Sequence, residues 1–276
     1  MITIELKNHE HQVITGPIDH EKEVGAYRVT AKEQAVLGIK DYTYQLGDYI
    51  DVRFDTKENY VVVQLDETLA PALLYIPEDT WRYQVLTKDT DKKALVETAF
   101  SAKRHHIMVR YAYPFEITNY QNLTQNTHDQ KAGSGAFPHA YANVETRDDV
   151  VFFAKNAIDG KYANQSHGSY PFTSWGINQM PDAALTIDFG SEVELDRIQL
   201  LFRGDYPHDS YWEQVTITFS DGTSQRMDTT NRLDFQTFII EKKRTRTITF
   251  SQLLKHQDAS SFPALTQIEA FGRRIL

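Results

Sequence analysis

The ten residues Arg203-Gly-Asp-Tyr-Pro-His-Asp-Ser-Tyr-Trp212 crowd a guanidinium, two carboxylates, an imidazole and several aromatic rings into one short stretch. A segment that only joined two strands would need turn formers rather than this set. Planar, bidentate-capable side chains hold hydroxyl groups, and an aromatic face packs on the flat apolar side of a pyranose ring. The stretch is therefore expected to be a ligand loop, with Arg203, Asp205, His208 and Asp209 on hydroxyls and Trp212 on the ring. A second polar and aromatic segment, Tyr162–Trp175, offers Asn164, His167, Tyr170 and Trp175. Asn143-Val-Glu145-Thr-Arg147 is a third piece, so His167, Glu145 and Arg147 are expected to join the loop around a shallow pocket. The structural alternatives are an Arg203 ion pair with Asp205 or Asp209 that orders the loop, a core or near-core position for Trp175, and a Trp212 that caps the bottom of the sandwich.

The same residues can be drawn as catalytic machinery, with His208, Asp209 and Glu145 as an acid–base set. The surroundings for it are poor. Gly168-Ser169-Tyr-Pro lacks the second glycine and the strand–turn–helix context of a nucleophile elbow. His105 and His106 are adjacent, so on a strand they point to opposite faces. Paired carboxylates for glycoside cleavage need a deep cleft that small sandwiches rarely offer. No cysteine occurs among the 276 residues, which removes disulfides, thiolate chemistry and cysteine-ligated zinc. A non-catalytic carbohydrate-binding protein is the leading expectation. An enzyme acting on a sugar or sugar derivative is its rival. A protein-interaction module, with exposed aromatics as the interface of a homo-oligomer, is the third reading.

The elements that must position these residues read as strands. Val24–Thr30, Tyr49–Phe54, Tyr60–Leu65, Ala72–Ile76, Tyr83–Leu86 and His106–Tyr113 are short runs of strand formers separated by turn material. Asp51–Asp55 and Val61–Leu65 look like hairpin partners across Lys57-Glu-Asn. Lys92–Lys103 has at best a weak helical pattern. Further on, Ala184–Phe189 and Val193–Phe202 read as strands joined by a Gly190-Ser191 turn. Gln214–Phe219 runs into Ser220-Asp-Gly-Thr223, a tight-turn signal, and Thr247–Phe250 and Thr266–Phe271 close the series. The expected fold is all-β: two β-sandwich (jelly-roll) domains, residues 1–118 and 140–276, with helix confined to short turns. The Asn/Gln/Gly-rich stretch 119–139 is either a linker or the opening segment of the second domain.

The net charge of −9 is spread over both halves, so neither is a basic module of the kind that binds nucleic acid. Lys242-Lys-Arg244 with Arg246 sits in a strand-like segment and reads as a charged sheet edge. No apolar run approaches a membrane span, and Met1-Ile-Thr-Ile-Glu-Leu lacks the features of a secretory signal. A cytoplasmic setting is the simplest expectation, although a trimmed extracellular chain would look the same.

Five motifs, the first of them in two parts, then occur in a recognisable order. Asn156-Ala-Ile-Asp-Gly160 is followed by Thr173-Ser-Trp175, Leu185-Thr-Ile-Asp-Phe-Gly190, the strand Val193–Arg203, Phe219-Ser-Asp-Gly222 and Ile268-Glu-Ala-Phe-Gly272. This order resembles discoidin, or coagulation factor 5/8 type C, domains of the galactose-binding-like superfamily, to which many bacterial carbohydrate-binding modules belong. The resemblance covers residues 140–272 and implies a ligand site on loops at one end of the sandwich. It also implies a structural calcium ion held by Asp159 and Glu269, whose hard oxygen donors suit that cation. An ordinary Asx turn at Asp159 is the alternative. No organic cofactor is implied. The usual cysteine pair and the apolar spikes of the lipid-binding branch are missing.

Overall fold

The computed structural model describes residues 1–20 and 23–275. Among them, helix is limited to α1 (Asp89–Lys92), α2 (Pro114–Thr118) and three 3-10 turns at Thr146–Asp148, Val150–Phe152 and Ala154–Ile158. The rest is strand and loop, as the spacing of β-branched and aromatic residues predicts. No described helix is long and apolar enough to cross a membrane. The chain divides into two compact units: Met1–Tyr113 with Ser134–Ala136, and Pro114–Gly133 with Phe137 onward.

The first unit contains β1 (Ile2–Lys7), β2 (Thr15–Pro17), β3 (Val24–Ala26), β4 (Arg28–Ala31), β5 (Gln34–Ile39), β6 (Tyr49–Phe54), β7 (Asn59–Gln64), β8 (Ala72–Ile76), β9 (Thr80–Gln84) and β10 (His105–Tyr111). They build two antiparallel four-stranded sheets, ordered β4-β1-β6-β9 and β5-β10-β7-β8, with β2 and β3 paired separately. Alternation along the strands sends Ile4, Val52, Trp81, Val61 and Val109 into one core. The same alternation buries His105 and exposes His106. The hairpin expected between β6 and β7 does not form. β6 pairs with β1 and β9, whereas β7 pairs with β8 and β10, so the turn at Lys57-Glu-Asn carries the chain from one sheet to the other. A strand that sends alternate apolar residues into the core shows the same pattern whether its sequence neighbour lies in the same sheet or in the other one.

The second unit contains β11 (Gln121–Asn122), β12 (His139–Ala142), β13 (Trp175–Gly176), β14 (Leu185–Phe202), β15 (Trp212–Phe219), β16 (Ser224–Asp228), β17 (Gln236–Lys255) and β18 (Ala264–Arg274). The sheet runs β11-β18-β14-β17-β15-β16, with β12 added on β14 and β13 on β18. It folds around a core that includes Trp175, Ile187, Leu200, Trp212, Phe250 and Ile268. Gly190 was read as a turn between two strands. Instead β14 continues through it, with its register broken between Asp188 and Val193. Gly190 takes φ +75°, and a Cβ there would lie 2.6 Å from the Phe137 ring, so the position needs glycine to kink the strand without reversing it. The Ser220–Thr223 turn does join β15 to β16 as a hairpin, with Asp221 Oδ1 accepting from Thr223 N.

The polar stretch before β12 is packed in this second unit. Leu123, Thr124, Asn126, His128 and Asp129 are buried. Leu123 N donates to Ala270 O, Asn126 Nδ2 to Pro138 O, and His139 Nδ1 to Asp129 Oδ1 at 2.7 Å. Burial pushes the His128 imidazole down to about 3, so it stays neutral.

Candidate functional site

Five segments of the second unit meet at one cavity of about 300 Å³. The first is Thr146–Phe152, tied to the core because Trp175 Nε1 donates to Val144 O at 2.9 Å. The second is His167, on the loop whose Asn164 Nδ2 donates to both Phe202 O and Leu233 O. The third, Gly176–Gln179, follows β13, and Asn178 N donates to Thr146 Oγ1 at 3.0 Å. The fourth is the stretch after β14, where Arg203 N donates to Ala264 O and Gly204 N to Asn164 O. Phe262-Pro-Ala264 completes the lining.

The walls are mixed in character. Phe152, Ile177, Phe262 and Pro263 give apolar surface, and Arg147, His167, Asn178, Gln179, Arg203 and His208 give polar groups. Arg147, Asn178 and Gln179 hold φ values of 55°, 50° and 59°. Left-handed backbone is uncommon outside glycine and costs of order 1 kcal/mol or more per residue. Three such residues around one cavity mark a rim held by its surroundings rather than by local preference.

Arg203 is nearly inaccessible, and so is Asp205. Arg203 Nη2 donates to Phe262 O at 2.7 Å, which fixes the guanidinium and joins two of the lining segments. Arg203 Nε lies 2.7 Å from Asp205 Oδ1, but without hydrogen-bond alignment, so the contact is an ion pair rather than a directed bond. Asp205 Oδ2 accepts from His167 Nδ1 at 2.6 Å, which leaves the other ring nitrogen as the polar atom not used by that contact. Burial lowers the Arg203 pKa and Asp205 opposes it; a guanidinium stays charged at either limit. His167 and His208 meet edge to face at 4.8 Å, and His208 meets Phe262 at 5.6 Å.

Of the residues singled out from the sequence, the structure brings Arg203, His208, His167 and Arg147 together on the cavity, with Asp205 behind them. The others go elsewhere. Trp212 has no accessible surface and packs edge-on against Phe202 and Phe250 at 5.3 and 5.6 Å, so its face is not open to a ring. It does wall a neighbouring hollow with Met180 and Leu253, yet presents no surface to it. Trp175 is likewise a core residue. Asp209 lines a different hollow with Tyr206, Tyr211 and His256. Glu145 turns away: its Oε1 accepts from Ala154 N at 2.7 Å and its Oε2 lies 3.2 Å from Lys131 Nζ. The drawn acid–base set of His208, Asp209 and Glu145 is thus not assembled. β15 turns Val215, Ile217 and Phe219 into the core, and the register shifts between Trp212 and Thr216 bring Trp212 inward as well, where strict alternation would turn it outward.

Asn178, Gln179, Phe152, Ile177 and Phe262 were not anticipated. Their only sequence signal was position in polar or proline-containing segments between strands.

The two residues expected to hold calcium already have proton donors on them. Asp159 Oδ1 accepts from Lys161 N at 2.9 Å and from Gln267 Nε2 at 2.8 Å, and Oδ2 from Thr173 Oγ1 at 3.4 Å. Lys161 Nζ lies 3.4 Å from the Asp159 carbonyl oxygen, and Glu269 Oε1 accepts from Tyr162 Oη at 3.1 Å. Burial pushes Asp159 up to about 6 and raises Glu269 as well. A calcium site needs oxygens with free lone pairs and net negative charge. An amide donor and an ammonium group at these positions do not suit it.

No protein-family model matches the chain, and no curated protein matches it. Similarity to solved structures extends over about half of it. Chitosan-binding module 1 derived from chitosanase/glucanase from Paenibacillus sp. IK-5 is 16% identical, with 55% of this chain and 99% of that one covered at a TM-score of 0.38. A Streptococcus pneumoniae fucose binding module is 9% identical, covering 56% and 96%, with a TM-score of 0.41. The family 32 CBM from C. perfringens NanJ in complex with galactose is 16% identical, covering 48% and 91%, with a TM-score of 0.37.

Proposed function

We propose that the second unit is a non-catalytic carbohydrate-binding module and that the cavity between Arg147 and Phe262 is its sugar site. One observation carries this reading. A cavity of about 300 Å³ combines apolar wall from Phe152, Ile177 and Phe262 with planar polar groups engaged in few or no internal hydrogen bonds. Arg203 is held by Nη2, while its Nη1 makes no hydrogen bond among the described residues. The side chains of Asn178 and Gln179 and the His208 ring likewise make none among the described residues. Such a surface suits one sugar ring, whose faces are apolar and whose edge is a row of hydroxyls.

Binding through a small polar cavity is expected to be weak, on the order of micromolar to millimolar, because little area is buried and ordered water must be displaced. The test is a glycan array on the whole chain, followed by titration of the best ligand into His208→Ala and Asn178→Ala. Both side chains sit on the cavity, so their loss should weaken binding roughly tenfold each; the melting midpoint should stay unchanged in His208→Ala and fall slightly in Asn178→Ala, because alanine tolerates the left-handed backbone there less well than asparagine. An array with no bound glycan, or variants that bind as well as the parent, would defeat the proposal. The chemistry of the cavity gives catalysis no support: Asp205 orients His167, but neither a second carboxylate nor an activated nucleophile stands with them.

A further inference from the structure

The charges around the cavity are one-sided. Its lining includes Arg147, Arg203, His167 and His208 but neither aspartate nor glutamate. A site for a neutral sugar gains from carboxylates, because each hydroxyl has a proton to donate as well as lone pairs to offer. Here the nearby carboxylates are committed to other groups. Asp205 is taken by Arg203 and His167. Glu145 and Asp148, which flank Arg147 closely in sequence, both pair with Lys131. Among the described residues the Arg147 guanidinium has no ion-pair partner, and it lies 5.3 Å from the Phe152 ring centre. Thus the cation at the rim is uncompensated, and the cation in the wall keeps a nitrogen free of protein partners.

Resting on the sugar-binding reading, we infer that the ligand is a sugar carrying one acidic substituent, a carboxylate or a sulfate, and that Arg147 seats this group at the rim. A guanidinium matches a carboxylate or sulfate edge with two parallel donors, and charge-assisted bonds of this kind are about twice as strong as neutral ones. The rest of the protein narrows the class further. At a net charge of −9 the chain repels a long polyanion. One cavity of this size, positive on a negative protein, fits a single acidic sugar unit rather than a densely sulfated chain.

The experiment compares matched sugars on the full chain by calorimetric titration at low salt: galactose against galacturonate, glucose against glucuronate, and galactose against galactose 6-sulfate. In at least one pair the acid should bind roughly tenfold tighter than its neutral partner. The uronate and sulfate arms distinguish which acidic group is used. In Arg147→Gln the ratio of acid to neutral affinity should fall to about one, and Arg147→Lys should restore part of it, since the charge returns without the bidentate fork. Raising salt should shrink the preference in the parent protein but not in Arg147→Gln. If neutral sugars bind as well as their acids, or if the preference survives Arg147→Gln, the inference is overturned while sugar binding stands. If neither these sugars nor any glycan on the array binds, the sugar-binding reading itself fails.

Discussion

Replacing Trp212 separates a ring that holds the fold from a ring that holds a ligand. Its side chain has no accessible surface and sits edge-on between Phe202 and Phe250 in the core of the second unit. A buried tryptophan removes about 150–250 Å² from water, which at ~25 cal/mol per Å² is about 4–6 kcal/mol. Large-to-small replacements at such sites cost about 3–5 kcal/mol, because the cavity closes only in part. Trp212→Ala is therefore expected to lose about 3–5 kcal/mol of stability in urea unfolding. Trp212→Phe should lose much less, since most of the ring volume stays. The indole Nε1 has no hydrogen-bond partner, so the phenylalanine variant gives up no internal bond. His208→Ala serves as the counterpart, with the unfolding midpoint unchanged and sugar binding reduced. The reasoning is refuted if Trp212→Ala unfolds within ~1 kcal/mol of the parent yet binds no sugar, for then the ring would be a ligand contact after all.

Two further outcomes follow from buried charge. Glu5 is almost inaccessible on the first sheet, and burial alone would raise its pKa, but hydrogen bonds from Lys7, Arg53 and Arg28 outweigh that and hold it below the usual carboxylate range. A lowered folded pKa means the stabilisation is full above the unfolded value of 4.5 and is lost as pH falls through the folded one. Glu5→Gln should thus be less stable than the parent at pH 7, by about 3 kcal/mol at most, and the gap should narrow progressively as pH falls below 4.5; a gap that does not change with pH would show that packing, not charge, is responsible. For the Asp159–Gln267 contact, millimolar chelator should leave the melting midpoint of the parent where it is, and added calcium should not raise it, whereas a midpoint that tracks calcium would show that Lys161 and Gln267 yield their places to the cation.

The strand content was legible because it rests on local chemistry. Tyr49–Phe54 and Ala72–Ile76 are strands with the limits their residue types suggest, and His105 and His106 face opposite ways as a period of two requires. What was not legible is long-range. Tyr49–Phe54 and Asn59–Gln64 each bury one face, and nothing within either strand says whether the other is its neighbour or lies in the other sheet. Gly190 carries the same ambiguity. Glycine at positive φ serves a turn or a kink equally well, and the choice is made by Phe137, fifty-three residues earlier, which needs the space.

The candidate site shows the same division more sharply. Density of polar and aromatic residues points to Arg203–Trp212, of which Arg203 and His208 reach the cavity and Asp205 stands behind it. Composition cannot say which way each residue faces. Tyr206 and Asp209 open onto a different hollow, and Trp212 is turned inward by the register shifts at the start of its strand. The remaining lining comes from segments with no chemical signal of their own, such as Ile177-Asn178-Gln179, whose left-handed residues look like any polar turn. Their role depends on Thr146, whose hydroxyl accepts from Asn178 N, and on Trp175, which anchors Val144 and with it the strand of residues leading to Arg147. Trp175, expected among the ligand-binding residues, acts one step removed, by holding the segment that carries the arginine. Site residues that work by charge and hydrogen bonding can be found by type, but those that work by position become visible only when the chain is folded.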